Sequence, residues 1–139
     1  MKVKNKDILA IEGTILNTKI RIILCYFDST KLKSGTDFNR NRRMQKNIEN
    51  LIEVEPDTTL VCLGDFNGRL TRLEPNIVTD ANGKMLENWV DEYDLHHLNT
   101  TDKCTGKYTF HSLNGRSAID HVLINNTLLN SYIGMHIDE

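Results

Sequence analysis

The chain has 139 residues, 39% of them hydrophobic and 26% charged. That is the length of one domain and the composition of a globular one, so disorder throughout is excluded. Seventeen Lys and Arg against nineteen Asp and Glu leave a net charge of −2, which excludes a polybasic whole-protein field and leaves room only for a local basic groove.

No stretch reaches the ~18 apolar residues of a membrane helix; the longest runs, Ile20–Phe27 and Leu60–Leu63, are strand-sized. The opening MKVKNKD is basic, with no apolar run of signal-peptide length behind it. Cys25, Cys62 and Cys104 are odd in number and lack CxxC spacing, so an intracellular location, nucleus or cytoplasm, is expected.

Ile8–Ile15 and Lys19–Phe27 are β-rich runs separated by Leu16-Asn17-Thr18, which predicts an antiparallel hairpin. The second run alternates at Ile20 and Ile22 and then turns wholly apolar, as a strand buried on both faces at its end would. A polar connection from Asp28 to Gly35 leads into Asp37–Ile52, where Phe38, Met44, Ile48, Leu51 and Ile52 recur at helical spacing. Thr36 or Asp37 can cap this helix, and Arg40, Arg42, Arg43 and Lys46 occupy its other face.

Pro56-Asp57 marks a turn, and Thr58–Leu63 reads as a short buried strand running into Gly64-Asp65-Phe66-Asn67-Gly68. Asn82-Gly83 opens a second helix, Lys84–Glu92, with Met85, Leu86, Trp89 and Val90 as its stripe. Leu95–Leu98, Tyr108–His111, Ala118–Ile124 and Tyr132–Ile137 read as extended pieces. A turn falls at Leu113-Asn114-Gly115, and a short helix or loop follows Ile124. This order predicts a mixed α/β fold.

Two segments carry chemistry. In Gly64-Asp65-Phe66-Asn67-Gly68, extended backbone would put the Asp65 carboxylate and the Asn67 amide on one side and turn Phe66 into the core. A carboxylate there can take a proton from water or hold a divalent cation, and the amide can donate to a phosphate. A plain turn rich in Gly, Asp and Asn is the other reading. In Arg116–Ile124, alternation sets Asp120 on a face with Ala118 and Val122, and His121 on the face of Ile119 and Leu123. A carboxylate in such company needs a partner. A histidine, as in catalytic triads, would serve, and so would a structural pairing with Arg116 or a turn cap.

LGDFN at a strand end, the tyrosine of CYF, GKYTF and SAIDHVLI resemble, in order and spacing, the endonuclease/exonuclease/phosphatase superfamily, whose fold is DNase I-like. GDFNGRL and DANGKMLENWVDEYDLHHLNT resemble in particular the endonuclease region of non-LTR retrotransposons and of cellular genes derived from it. The likeness covers about residues 8–137.

The resemblance implies an α/β fold, a partial four-layer sandwich whose mixed, mostly antiparallel sheet is flanked by helices, as one partial domain over 1–139. It implies Mg²⁺ as cofactor and DNA as substrate. Asp65 matches the aspartate that activates or orients the attacking water, and Asn67 its companion at the scissile phosphate, both beside the metal. Asp120 matches the carboxylate that orients the catalytic histidine, and Tyr26 the tyrosine that donates to the phosphate. No motif fixes a role for Arg42 or Arg43.

The same resemblance implies parts that this chain lacks. A metal-binding glutamate and an asparagine belong to preceding strands, and an SDH motif bearing the catalytic histidine would follow residue 139. His136, in MHIDE, reads as a strand residue before it, and His96, His97 and His111 lie outside the motifs. The expectation is a fragment of a Mg²⁺-dependent DNA endonuclease, weak or inactive alone. A non-catalytic domesticated or truncated remnant is the alternative. A phosphatase branch acting on inositol phosphates or lipids is disfavoured by NGxxL…LNT and by the want of a basic insertion. Half a sandwich leaves a sheet face bare, so self-association, a missing N-terminal half or a reverse transcriptase domain is expected there. No membrane partner is expected.

Overall fold

The computed structural model describes residues 2–4, 6–29 and 35–139. A strand with no sequence signature, β1 (Lys2–Lys4), pairs antiparallel with Leu9–Ile11 of β2 (Ile8–Ile15). Three residues, two of them lysine, carry too little pattern to announce a strand. β2 then pairs antiparallel with β3 (Thr18–Tyr26) around Leu16 and Asn17, whose φ values of 47° and 65° make the tight left-handed turn that suits strand twist. Thr18, expected in the turn, is already paired with Ile15.

The helix α1 spans Gly35–Ile52 and so starts two residues before the expected Asp37; the side chains of Thr36 and Asp37, the expected caps, lie outside the described residues. Residues 30–34 of the preceding connection, and the side chain of Phe38, fall outside the described residues. β4 (Thr58–Asp65) follows and runs parallel to β3, two residues beyond the expected strand end. α2 (Ala81–Glu92) begins before Asn82-Gly83, because Asp80 caps it by accepting a hydrogen bond from Gly83 N at 2.8 Å.

Beyond α2 come β5 (His96–His97), a 3₁₀ turn at Leu98–Thr100 and β6 (Cys104–Thr105). A hairpin of β7 (Phe110–Ser112) and β8 (Gly115–Ser117) leads to β9 (Asp120–Ile124), and a short α3 (Asn126–Leu129) leads to β10 (Met135–His136). The last strand pairs parallel with β6. Among the described residues the main sheet has the order β1-β2-β3-β4-β9-β5, and β3–β4 is its one parallel pair.

The two faces of this sheet differ. One is closed by the helices: Met44, Ile48, Leu51 and Ile52 of α1 and Met85, Leu86 and Trp89 of α2 join Ala10, Ile23, Leu60, Cys62 and Leu123 in one core. Trp89 Nε1 donates to Glu49 Oε1 at 3.0 Å and so ties the helices together. On the other face Ile11, Leu24 and Tyr26 are 44%, 47% and 45% exposed. The end of β3 is therefore not buried on both faces. Its apolar run meets helices on one side and no second sheet on the other among the described residues.

Gly64 lets β4 approach β3. Its φ is +145°, and a Cβ there would stand 2.0 Å from the Cys25 carbonyl oxygen. Gly64→Ala is expected to cost at least about 3 kcal/mol in urea denaturation. Gly13→Ala, where a Cβ meets nothing within 4 Å, should stay within about 0.5 kcal/mol of the parent. Equal effects at the two positions would contradict this reading.

Candidate active site

Strand register builds the site. Tyr26 of β3 pairs with Asp65 of β4, and Asp65 pairs with Asp120 of β9. Directly paired residues share a face, so the three form one row across the open face, at the carboxyl end of β3 and β4. Phe66, next in the chain, turns the other way. Its ring stacks on Phe27 at 5.6 Å and meets the edge of Trp89 at 6.2 Å, which anchors the loop from below.

Asn67 joins the row by a different route from the one its spacing suggested. Its φ is +45°, so the backbone has left the extended form. Asn67 N donates instead to Asp65 Oδ1 at 2.8 Å, an Asx turn, and Nδ2 donates to the Phe27 carbonyl at 2.7 Å. Turn chemistry and a shared site are both present here. A cavity of about 330 Å³ is lined by Tyr26, Asp65, Asn67, Arg69, Asp80 and Phe110, among others.

The loop is held by buried polar groups that sequence reasoning missed. Asn82 Nδ2 donates to the carbonyls of Phe66 and Asp28, at 2.8 and 3.0 Å. Asn41 donates to the Asp28 carbonyl and accepts from its N–H, while Arg40 bridges the carboxylates of Asp7 and Asp28. Behind the loop, His121 lies 2.7 Å from the Gly68 carbonyl through Nε2 and 3.0 Å from His97 Nε2 through Nδ1. A carbonyl only accepts, so His121 Nε2 carries the proton, and His97 donates to Nδ1. Burial depresses the pKa of both, that of His97 to about 3, and keeps the pair neutral. Thr109 Oγ1 accepts from Ile119 N and Asp120 N at 3.2 and 3.1 Å, which pins the start of β9. The signals were present in part: Asp80 before a helical stripe is a legible cap, and Thr109 sits in the GKYTF motif.

Asp120 has no ion-pair partner among the described residues. The alternative partner, Arg116, turns away: it pairs with Glu139 at 3.9 Å and lies 4.4 Å from the Tyr108 ring centre. Burial pushes the Asp65 carboxyl above its ordinary pKa; the Asn67 N–H opposes that shift and the charge of Asp120 adds to it. Two carboxylates and an amide are hard oxygen donors, the right kind for Mg²⁺. They fall short in number, since no group of three or more His, Cys, Asp or Glu able to hold a metal occurs among the described residues. Of the histidines, His96 is half-buried, His97 buried, and His111 and His136 exposed.

Set beside known structures, this architecture is a DNase I-like fold of the endonuclease/exonuclease/phosphatase type, a nuclease-like phosphodiesterase fold. The endonuclease domain of TRAS1, a telomere-specific non-LTR retrotransposon, superposes with a TM-score of 0.63 at 22% identity, over 89% of this chain and 52% of that one. A 3′-5′ exonuclease from Neisseria meningitidis gives 0.62 at 17%, over 88% and 53%. An endonuclease/exonuclease/phosphatase family protein from Leptotrichia buccalis gives 0.54 at 15%, over 86% and 42%. The chain thus spans about half the length of these structures. No curated protein matches it. Residues 20–139 match the family described as endonuclease-reverse transcriptase, and the chain belongs to that family. Its members generally depend on a divalent metal. No helix among the described residues is long and apolar enough to cross a membrane.

A raised carboxyl pKa means that the folded protein holds a proton on Asp65 more tightly than the unfolded chain does. The stability this contributes is present at low pH and is lost as pH rises through the folded value. Ionised Asp65 therefore counts against folding at pH 7. Asp65→Asn keeps an oxygen for the Asn67 N–H and is expected to raise the Tm at pH 7, with the gain shrinking as pH falls through the carboxylate range. A variant that melts lower than its parent at pH 7 would refute this.

Proposed function

We propose that these residues form the phosphodiester-facing part of a Mg²⁺-dependent DNA endonuclease of the retroelement type. The observation that carries the reading is the row Tyr26–Asp65–Asp120, with Asn67 beside Asp65, at the carboxyl ends of β3 and β4; Tyr26, Asp65 and Asn67 line the cavity there, and Asp120 is not among its lining residues. Asp65 takes the proton of the attacking water. Asn67 spends one amide hydrogen on the Phe27 carbonyl and keeps the other for the phosphate, to which the Tyr26 hydroxyl also donates.

Asp120, which has no ion-pair partner among the described residues, orients a histidine contributed from outside these 139 residues. Mg²⁺ is the cofactor this reading calls for: Asp65 and Asn67 supply oxygen ligands, and a glutamate, again from outside, completes the set. The chain alone is then weak or inactive, and the bare sheet face takes the missing N-terminal half, a reverse transcriptase domain or a second copy. The protein works inside the cell, in nucleus or cytoplasm. A domesticated or truncated remnant without catalysis is the second reading, favoured by the lack of a three-ligand cluster among the described residues.

Nicking of supercoiled plasmid with Mg²⁺ tests the site. The chain is expected to cleave no faster than its Asp65→Ala variant, because removing a catalytic acid or base alone costs ~10²–10⁴-fold. Robust cleavage abolished by Asp65→Ala would overturn the proposed inactivity and confirm the site. The bare face predicts a mass that rises with concentration in light scattering, and Leu24→Lys, between Leu9 and Leu63, should shift it towards monomer. A monodisperse parent with a sharp two-state melt would count against this.

A further inference from the structure

We infer that Arg69 contacts a backbone phosphate of DNA in the Asp65 cavity and that Glu74 is the residue that positions it, an inference that rests on the phosphodiesterase reading above. Arg69 is the one cation among the described residues that line the cavity, where Asp65 and Asp80 would otherwise repel an anion. Its guanidinium is fixed along one edge: Nη2 donates to Glu74 Oε1 at 2.6 Å and Nε to Oε2 at 3.3 Å. Glu74 is only 7% exposed, and its Oε2 also accepts from Ala118 N at 3.3 Å, two residues before Asp120. The cation is thereby tied to the strand that carries the second carboxylate.

The backbone of Arg69 is clamped as well. Its N–H donates to Asp80 Oδ1 and its carbonyl accepts from Asp80 N, both at 3.1 Å. A Cβ on Gly83 would come within 2.3 Å of that carbonyl, so the loop sits hard against the start of α2. Side-chain and backbone support together cut the entropy lost when an anion binds. Nη1 has no hydrogen-bond partner among the described residues, which leaves donors for a phosphate oxygen. A solvated surface arginine has none of this support.

A merely structural Arg69–Glu74 bridge would stabilise the loop and leave DNA affinity alone. The double variant Arg69→Gln/Glu74→Gln separates the two roles. It removes one charge of each sign, so the net charge stays at −2, and paired amides can keep the bridge hydrogen-bonded. Binding of the full chain to a fluorescein-labelled DNA duplex is measured by anisotropy across salt concentrations with Mg²⁺ present, beside Arg69→Met and Lys19→Met. Lys19 lies at the far end of β3 from Tyr26.

The double variant and Arg69→Met are expected to bind about tenfold more weakly. Their plot of log K against log salt should be shallower by about 0.9, the value of one phosphate contact, while Lys19→Met follows the parent. A double variant with the parent's affinity and slope overturns the assignment of Arg69 and leaves the phosphodiesterase reading intact. A parent chain that does not bind DNA overturns both.

Discussion

Everything at the site follows from the seating of one strand. β4 lies between a parallel neighbour, β3, and an antiparallel one, β9, and a shift of one residue in either register would turn Asp65 away from Tyr26 or Asp120. Two features hold the register at the end that matters. Gly64 permits a backbone approach that no side chain could survive, and Phe66 plugs the aromatic cluster beneath. Asp65 lies between them. Its direction is set by a glycine before and a buried ring after, so the carboxylate needs no partner of its own to be placed.

The polar groups around the strand divide into two populations. No buried side-chain nitrogen or oxygen among the described residues lacks a hydrogen-bond partner. Asn82, Asn41 and the neutral His97–His121 pair are each committed to backbone carbonyls or to one another. Leaving such a group unsatisfied costs ~1–3 kcal/mol, so this shell is rigid. The carboxylates of Asp65 and Asp120 are different: they face each other without a cation between them among the described residues. Here the charge of one carboxylate opposes ionisation of the other, so the pair adds nothing to stability at neutral pH.

How much of this could be read beforehand depended on the range of the interaction. The β2–β3 hairpin, both long helices and the buried β4 followed from local pattern, since period and turn residues sit in adjacent positions. That Asp65, Asn67, Asp120 and Tyr26 carry the motifs was legible through resemblance, and strand register sets three of them in one row. The geometry was not: extended spacing was expected to align Asp65 with Asn67, whereas a left-handed Asn67 and an Asx turn do so. Arg116 looked like a partner for Asp120 by proximity along the chain, and the β7–β8 hairpin carries it to Tyr108 and Glu139 instead. Asn41, Asn82, Glu74 and His121 act across 13 to 54 residues of chain, where no periodicity points.

The open sheet face links stability to chemistry. Leu9, Leu24, Leu63 and Val122 form the row next to Tyr26, Asp65 and Asp120 on the same surface. Water that wets the apolar row also reaches the carboxylates, and the high dielectric it brings weakens every electrostatic interaction the site can make. Covering the face would bury apolar area at roughly 25 cal/mol per Å² and would dry the adjacent row in the same step. Desolvation would then push the Asp65 carboxyl further in the direction that burial already moves it. Apolar cover and a stronger base are one event on this surface, because β3, β4 and β9 carry both rows.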